Sequence, residues 1–179
     1  MKLKVGISGL FIIFVLMFFS CSDESTTSVP IVCTCQECEY IVEITPSEFE
    51  QIVFDLTNIE REKEGLPALT WNLTLASAAR RHSKDLMLNN YFEHTGLNGT
   101  TPRQRMERAG ITNITASAEN IAAGHATPES VVADWMTSPG HRANILRTNV
   151  THLGVGFVER PEGSSAQYKT YWTQKFCAF

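Results

Sequence analysis

Basic residues are few in this 179-residue sequence, in which 15 lysines and arginines stand against 19 aspartates and glutamates, for a formal net charge of −4. This mildly acidic balance argues against nucleic acid as a partner. The sequence also lacks a Gly-x-Ser-x-Gly motif, the turn that exposes a nucleophilic serine, and it lacks an internal repeat. Serine-based covalent hydrolysis therefore has no support, and the length is that of one globular domain.

A hydrophobic run long enough to span a membrane is also missing. The apolar run of residues 10–19 is shorter than the roughly 18 residues that a spanning helix needs. Lys2 and Lys4 precede this run, as in a secretory signal peptide, and a small residue then precedes Cys21, as at a bacterial lipoprotein cleavage site. We therefore predict a signal peptide over residues 1–20 and a lipid on Cys21 that anchors an exported protein at the outer membrane or cell surface. An ordinary signal peptide and a secreted protein are the alternative.

Four further cysteines follow Cys21, namely Cys33, Cys35, Cys38 and Cys177. In an exported protein they favour two disulfides, whose pairing stays open. Three of the four lie in a predicted tether and cysteine-rich arm over residues 21–44, and Cys177 lies near the end of the sequence. At least one bridge is expected to join the arm to Cys177, and closing so long a loop stabilises a fold by about 4–5 kcal/mol. A zinc site made by the cysteines of the arm is the alternative.

Residues 45–179 contain the elements of an α/β protein. Helical periodicity and capping residues predict four helices, and alternating apolar residues predict two late strands. The capping box at 45–48 begins the first helix, and the others are expected at 72–89, from Thr101 to Gly110 and from Thr127 to Met136, with strands at 153–159 and 168–176. Helices first and strands late indicate a layered α/β sandwich rather than a parallel βαβ sheet.

Glycines alternate with apolar residues in the first of these strands. Gly154 and Gly156 flank Val155, which predicts a strand against which another element packs very closely. Upstream, Pro139 and Gly140 predict a turn that presents the following histidine at the end of the fourth helix.

Three residues could carry chemistry: His94, Glu119 and His141. Glu119 lies inside an apolar run, where a carboxylate must be paired, bound to a ligand or neutralised because burying it bare is very costly. Two imidazoles and one carboxylate form the ligand set of a catalytic zinc site with one open position. The same three side chains could equally form a neutral hydrogen-bonded cluster at a cleft. His82 is expected to face inward as a hydrogen-bonded core residue.

Several motifs occur in an order that resembles the bacterial branch of the CAP superfamily (cysteine-rich secretory proteins, antigen five and pathogenesis-related proteins). The motifs are residues 58–61, 66–71, 91–94, 118–120, 135–146, 154–156 and 171–174. The resemblance covers residues 45–179 and implies a single-domain α–β–α three-layer sandwich whose central cleft carries two histidines and two acids. His94, Glu119 and His141 match three of these positions. The second acid has no counterpart here, since residues 136–138 stand in its place and Asp134 precedes the motif tryptophan.

Three functions remain open on these grounds. The first is a lipid-anchored binding module whose His94/Glu119/His141 cleft takes a divalent metal or a small ligand, with a lipid or a protein as further possible partners. The second is a zinc-dependent hydrolase in which the two histidines hold the metal and Glu119 is a ligand or base. The third is a structural or adhesion protein of the cell envelope. Arg142 and Asn144 are expected to fix the loop that presents His141, and Asn120 is expected to satisfy backbone groups next to Glu119.

Overall fold

The computed structural model describes residues 47–179. The predicted signal peptide, Cys21 and the cysteine-rich arm with Cys33, Cys35 and Cys38 lie outside the described residues, so the predictions made for them stay predictions. The elements of the described part, in chain order, are α1 (Glu48–Lys63), β1 (Thr70–Trp71), α2 (Leu73–Asn89), α3 (Pro102–Arg108), β2 (Ala116–Ala123), α4 (Pro128–Thr137), α5 (Pro139–Ile145), β3 (His152–Glu159) and β4 (Thr170–Ala178).

The four strands form one sheet in the order β1-β3-β4-β2. The pairs β3–β4 and β2–β4 are antiparallel, while the short β1 runs parallel to β3, with Thr70 opposite His152. The two late strands predicted from the sequence are confirmed as β3 and β4. The sheet is mixed because the segment after α1 adds a short parallel strand at one edge.

Side chains that alternate along β4 divide the interior into two layers, as the pleat of a strand requires. Trp172 and Phe176 lie in the core that α1, α4 and α5 share with the sheet. Tyr171 and Cys177 lie in two smaller clusters on the other face, which α2 and α3 cover. The arrangement confirms the α–β–α sandwich. Cys177 is buried on the α2 side, and each of its predicted disulfide partners lies outside the described residues.

Helix α2 lies directly on the glycines of β3. A Cβ atom at Gly154 would stand 2.1 Å from the backbone nitrogen of Ala76, and one at Gly156 would stand 2.2 Å from that of Arg80. Real Cβ atoms do not approach backbone so closely, so only glycine allows this contact. The close packing predicted from the alternation is confirmed, and it fixes α2 over the strand next to β4.

The N-terminus of α1 differs from the prediction. The helix begins at Glu48 with Ser47 as its cap, whereas the sequence predicted a capping box that starts at Thr45. The backbone nitrogen of Ser47 donates to Glu50 at 2.8 Å, and the Ser47 hydroxyl accepts from the Glu50 nitrogen at 3.3 Å. Glu50 is buried and also accepts two hydrogen bonds from Arg80 of α2, so the box that uses Glu50 is the one that packing favours.

Candidate functional site

The three predicted site residues come from three different elements. His94 lies in the loop between α2 and α3, Glu119 lies in the middle of β2, and His141 lies in the first turn of α5. The predicted turn at Pro139 and Gly140 is wrong, because these residues are the first two of α5. Proline suits this position, since the first N–H groups of a helix have no partner within it.

His94 and Glu119 are in direct contact. Nδ1 of His94 lies 3.0 Å from Oε1 of Glu119. The Glu119 side chain is 2% exposed and the His94 side chain is 49% exposed, so the carboxylate is the buried end of the pair. The contact orients the imidazole and leaves its other nitrogen, Nε2, for a ligand.

Two cations also bind Glu119, and the sequence analysis identified neither of them. Nη2 of Arg105, in α3, lies 3.1 Å from Oε1 and 3.0 Å from Oε2. Nζ of Lys175 donates to Oε2 from β4, where Lys175 lies directly opposite Glu119 in the antiparallel register. The carboxylate that was predicted to need a partner is therefore paired with two cations.

These contacts set the protonation of the buried pair. Burial alone would raise the pKa of Glu119, but the hydrogen bond with His94 and the charges of Lys175, His82 and Arg105 lower it to about 2. Burial lowers the pKa of Lys175 to about 8, against the opposing effect of Glu119. Both groups are therefore predominantly charged at neutral pH.

His82 completes the surroundings of the carboxylate from α2. Its side chain is fully buried, with Nε2 3.7 Å from Oε1 of Glu119. The inward placement predicted for His82 is confirmed, but the predicted hydrogen bond is wrong: within residues 47–179, neither ring nitrogen has a partner. Burial lowers the pKa of His82 to about 4, outweighing the raising effect of Glu119, so the ring is neutral at pH 7.

His141 is the third predicted site residue, and it is carried by α5. It is half-buried, and burial followed by the charge of His94 lowers its pKa, while Asp134 raises it. Its Nδ1 is buried and has no hydrogen-bond partner in the part of the chain that the structure describes. Nor does its ring form a hydrogen bond or ion pair with Glu119 among those residues. The structure thus joins His94 to Glu119, whereas His141 is linked to His94 through electrostatics.

Two asparagines hold the backbone that carries His141. Nδ2 of Asn120 donates to the His141 carbonyl at 3.2 Å, and Nδ2 of Asn144 donates to Oδ1 of Asn120 at 2.9 Å and to the Glu119 carbonyl at 3.3 Å. The expected role of Asn144 is confirmed, since its hydrogen bonds fasten α5 to β2, whereas Asn120 donates to the backbone of His141 rather than to backbone next to Glu119. Arg142 points elsewhere and donates to Glu64 of α1 at 2.7 Å.

The residues do not fit a zinc ion held jointly by His94, Glu119 and His141. Both carboxylate oxygens of Glu119 already accept from charged or ring donors, and Arg105 and Lys175 would repel a metal cation at this point. Among residues 47–179, no three His, Cys, Asp or Glu side chains are arranged to hold a metal ion. The two imidazoles are the groups that remain for a ligand.

The model of the cysteine-rich secretory protein family, CAP, matches residues 54–176, which is more than half of the chain. This chain belongs to the CAP family. Two Bacillus subtilis proteins of uncharacterized function are similar to this CAP protein. YkwD is 47% identical over 130 residues, covering 73% of this chain and 47% of YkwD, and the membrane protein YlbC is 37% identical over 127 residues, covering 71% and 34%. The chain thus matches less than half the length of each of these relatives.

Solved structures agree with the assignment. An extracellular protein of Bacillus anthracis with an SCP domain superposes with a TM-score of 0.64 at 37% identity, over 73% of this chain and 40% of that one. An outer surface protein of Borrelia burgdorferi superposes with a TM-score of 0.65 at 25% identity, over 75% of this chain and 95% of that one. No helix within the described part of this CAP protein has the length and apolar character to cross a membrane.

Proposed function

We propose that this protein is an exported, lipid-anchored CAP-domain protein that binds a small ligand between His94 and His141. Export is supported by the predicted signal peptide and by the extracellular and outer-surface relatives. Anchoring rests on Cys21 and its lipoprotein-like context.

One observation carries the binding function. Nδ1 of His141 is buried and lacks a partner among the described residues. His94, whose charge acts on His141, is half-exposed, and Glu119 orients its ring. A buried polar atom without a partner is costly, and a bound ligand that supplies a hydrogen bond removes that cost. The cleft therefore presents one oriented imidazole and one unsatisfied imidazole to the same ligand.

The charge of the cleft indicates the kind of ligand. Arg105 and Lys175 compensate the negative charge of Glu119, and His141 is neutral at pH 7 because its pKa is lowered. A small polar molecule that both accepts and donates hydrogen bonds suits this surface better than a bare cation does. The zinc hydrolase is less favoured, since Glu119 has no free oxygen with which to bind a metal or accept a proton from water.

A pair of titrations tests the proposal on the chain with Cys21→Ser, which blocks lipidation. In an NMR screen with a library of polar fragments, we expect hits to shift the amide resonances around His94 and His141, and we expect His94→Ala and His141→Ala to abolish those shifts. Hits that map only elsewhere on the domain would reject the binding site.

Calorimetric titration with zinc separates the metal from other ligands. We expect zinc to bind no more tightly to the wild-type site than to the His94→Ala and His141→Ala variants. A stoichiometric zinc site that both variants lose would make the ligand a metal, and peptide or ester hydrolysis lost in Glu119→Gln would then favour the enzyme.

For the anchor, radiolabelled palmitate is expected to be incorporated into the wild-type protein in growing cells and not into the Cys21→Ser variant.

A further inference from the structure

A cavity of about 570 Å³ lies between α2 and α3, beside the loop that joins them. Its walls come from residues 78–88, 96–100 and 105–109, and none of His94, Glu119 and His141 lines it. It is therefore distinct from the cleft described above, although Arg105 borders both.

The walls of this cavity carry an excess of positive charge. Four of the lining residues are cations, Arg81, Lys84, Arg105 and Arg108, and one is an acid, Asp85. Glu119 pairs with Arg105 from outside the cavity lining, and it shares its single negative charge between Arg105 and Lys175. Asp85 offsets one of the other three cations, so at least two positive charges remain at the cavity, in a protein whose formal net charge is −4.

The remaining cations are free to bind a ligand. Arg81 donates to the hydroxyl of Ser77 at 3.0 Å, and Arg108 donates to the hydroxyl of Thr100 at 2.9 Å, so neither guanidinium is paired with a carboxylate within residues 47–179. Lys84 likewise has no ion-pair partner there. Uncompensated guanidinium groups around a concavity are the usual means of binding oxyanions.

Two of the lining residues, His82 and Arg105, also carry buried polar atoms that lack hydrogen-bond partners among the described residues. His82 lines the cavity with a side chain that is 0% exposed, and neither of its ring nitrogens has a hydrogen-bond partner in the described part of the chain. Nε of Arg105 is buried and unpartnered in the same way. Neutral His82 has one donor and one acceptor nitrogen, whereas Nε of Arg105 is always a donor. Buried donors are normally satisfied, so the unpaired Nε–H of Arg105 in a residue that lines the cavity points to a ligand that supplies an acceptor.

We propose that this cavity binds the dianionic phosphate group of a small phosphate monoester. A dianion matches the two uncompensated charges, with the phosphate oxygens bound by Arg81, Lys84 and Arg108. The organic part of the ester lies against the apolar wall formed by Ala78, Leu88 and Ala109, where Leu88 is 63% exposed when no ligand covers it.

Four probes test the chemical class by NMR titration of the Cys21→Ser chain at low salt. They are phenyl phosphate, inorganic phosphate, benzoate and the neutral benzyl alcohol. We expect phenyl phosphate to bind most tightly, since it alone offers both a dianion and an apolar group, and to shift resonances of Arg81, Lys84 and Arg108. Benzoate binding as tightly as phenyl phosphate would overturn the assignment to phosphate, and the absence of a saturable shift with phenyl phosphate would overturn the site.

Two double variants with the same loss of charge test the residues. Arg81→Gln/Arg108→Gln is expected to weaken phenyl phosphate binding about tenfold or more, since each charge-assisted contact alone is typically worth about that factor. Lys63→Gln/Lys169→Gln removes two exposed lysines that do not line the cavity, and it is expected to weaken phenyl phosphate binding less than about twofold. Equal weakening in the two double variants would reduce the effect to net charge and reject the site.

Two further variants separate this site from the proposed cleft and guard against loss of folding. Lys84→Gln, an exposed substitution, is expected to weaken phenyl phosphate binding with an unchanged thermal midpoint. His94→Ala and His141→Ala are expected to leave phenyl phosphate affinity unchanged. A loss of affinity in these histidine variants would show that phenyl phosphate occupies the cleft and not the cavity, whether or not the cleft has a ligand of its own.

Discussion

Lys175 and Glu119 face each other across β4 and β2 as a buried ion pair, with side chains that are 0% and 2% exposed. The pair connects β2, which carries Glu119 and lies at an edge of the sheet, to the interior strand β4. Its charge is shared with Arg105, which reaches the same carboxylate from α3. The stability of the domain and the geometry of His94 therefore depend on one carboxylate.

Removing the ammonium group should be costly. We expect Lys175→Met to lower the free energy of unfolding by about 3–5 kcal/mol, because it leaves a buried carboxylate without one of its cations. Lys169→Met is the matched control, since Lys169 is 74% exposed in its pair with Glu159 and should change stability by less than about 1 kcal/mol. Urea denaturation measures both, and equal midpoints for the two variants would contradict the buried pair.

The stability of the domain should fall in acid in two steps. The pKa of His82 is about 4 in the folded protein and 6.5 in the unfolded chain, so only the unfolded state takes up this proton between those values, and stability is lost as the pH falls from 6.5 to 4. Glu119, with its pKa lowered from 4.5 to about 2, contributes stability that is present above 4.5 and lost as the pH falls towards 2. We expect His82→Gln to reduce the loss between pH 6.5 and 4 by about 3 kcal/mol in urea titrations at several pH values. Parallel pH profiles for wild type and variant would contradict this.

The glycines of β3 should tolerate no side chain. Gly156→Ala would place a methyl group 2.2 Å from the backbone of α2, and we expect a loss of about 3 kcal/mol or more, or failure to fold. Gly140→Ala is the control, because nothing lies within 4 Å of a Cβ there and the position is helical, so the variant should be neutral or more stable by up to about 1 kcal/mol. Thermal unfolding of both proteins tests the close contact. A Gly156→Ala protein as stable as Gly140→Ala would show that α2 does not lie on the strand.

Arg61 should matter more than an arginine at the surface. It is 1% exposed, and its guanidinium donates to the carbonyls of Pro67, Ile145 and Arg147 at 3.0, 2.7 and 2.8 Å. We expect Arg61→Met to cost about 3 kcal/mol and to speed hydrogen exchange just after α5, because three carbonyls lose their donor. Arg142→Met, which breaks an exposed pair with Glu64, should cost less than about 1 kcal/mol. Similar urea midpoints and exchange rates in the two variants would rule out this role.

Local patterns predicted much of the fold. The spacing of apolar residues and the capping residues gave α2 and α4 to within about a residue, and alternation gave β3 with its two glycines and their close neighbour. The physical reason is that each of these signals is local, since caps, turns and strand periodicity are read within a few positions of the chain. The start of α1 was misplaced by two residues because Thr45 and Ser47 both offer a capping hydroxyl, and the long-range pair of Glu50 with Arg80 decides between them.

The partners of Glu119 could not be predicted in the same way. The need for a partner was visible in the sequence, but Lys175 becomes that partner only through the register of β2 and β4, which local sequence does not determine. A lysine within the apolar run of β4 was the available signal, since a charged residue in a fully buried strand needs an opposite charge. Arg105 reaches the carboxylate through the packing of α3, for which the sequence carried no signal. Without these two cations, the sequence left Glu119 open to two interpretations, as a zinc ligand and as a member of a neutral hydrogen-bonded cluster, whereas the structure pairs it with Arg105 and Lys175.

The amide of Asn120 has one further consequence. Nδ2 of Asn120 donates both to the backbone carbonyl of His141 and to the side-chain oxygen of Gln174 in β4. The backbone that carries His141 is therefore fixed to the sheet without any help from a ligand. For the ligand proposed at His94 and His141, binding would therefore need little ordering of the protein, and we expect selectivity to depend on how well the ligand fits the existing shape of the site.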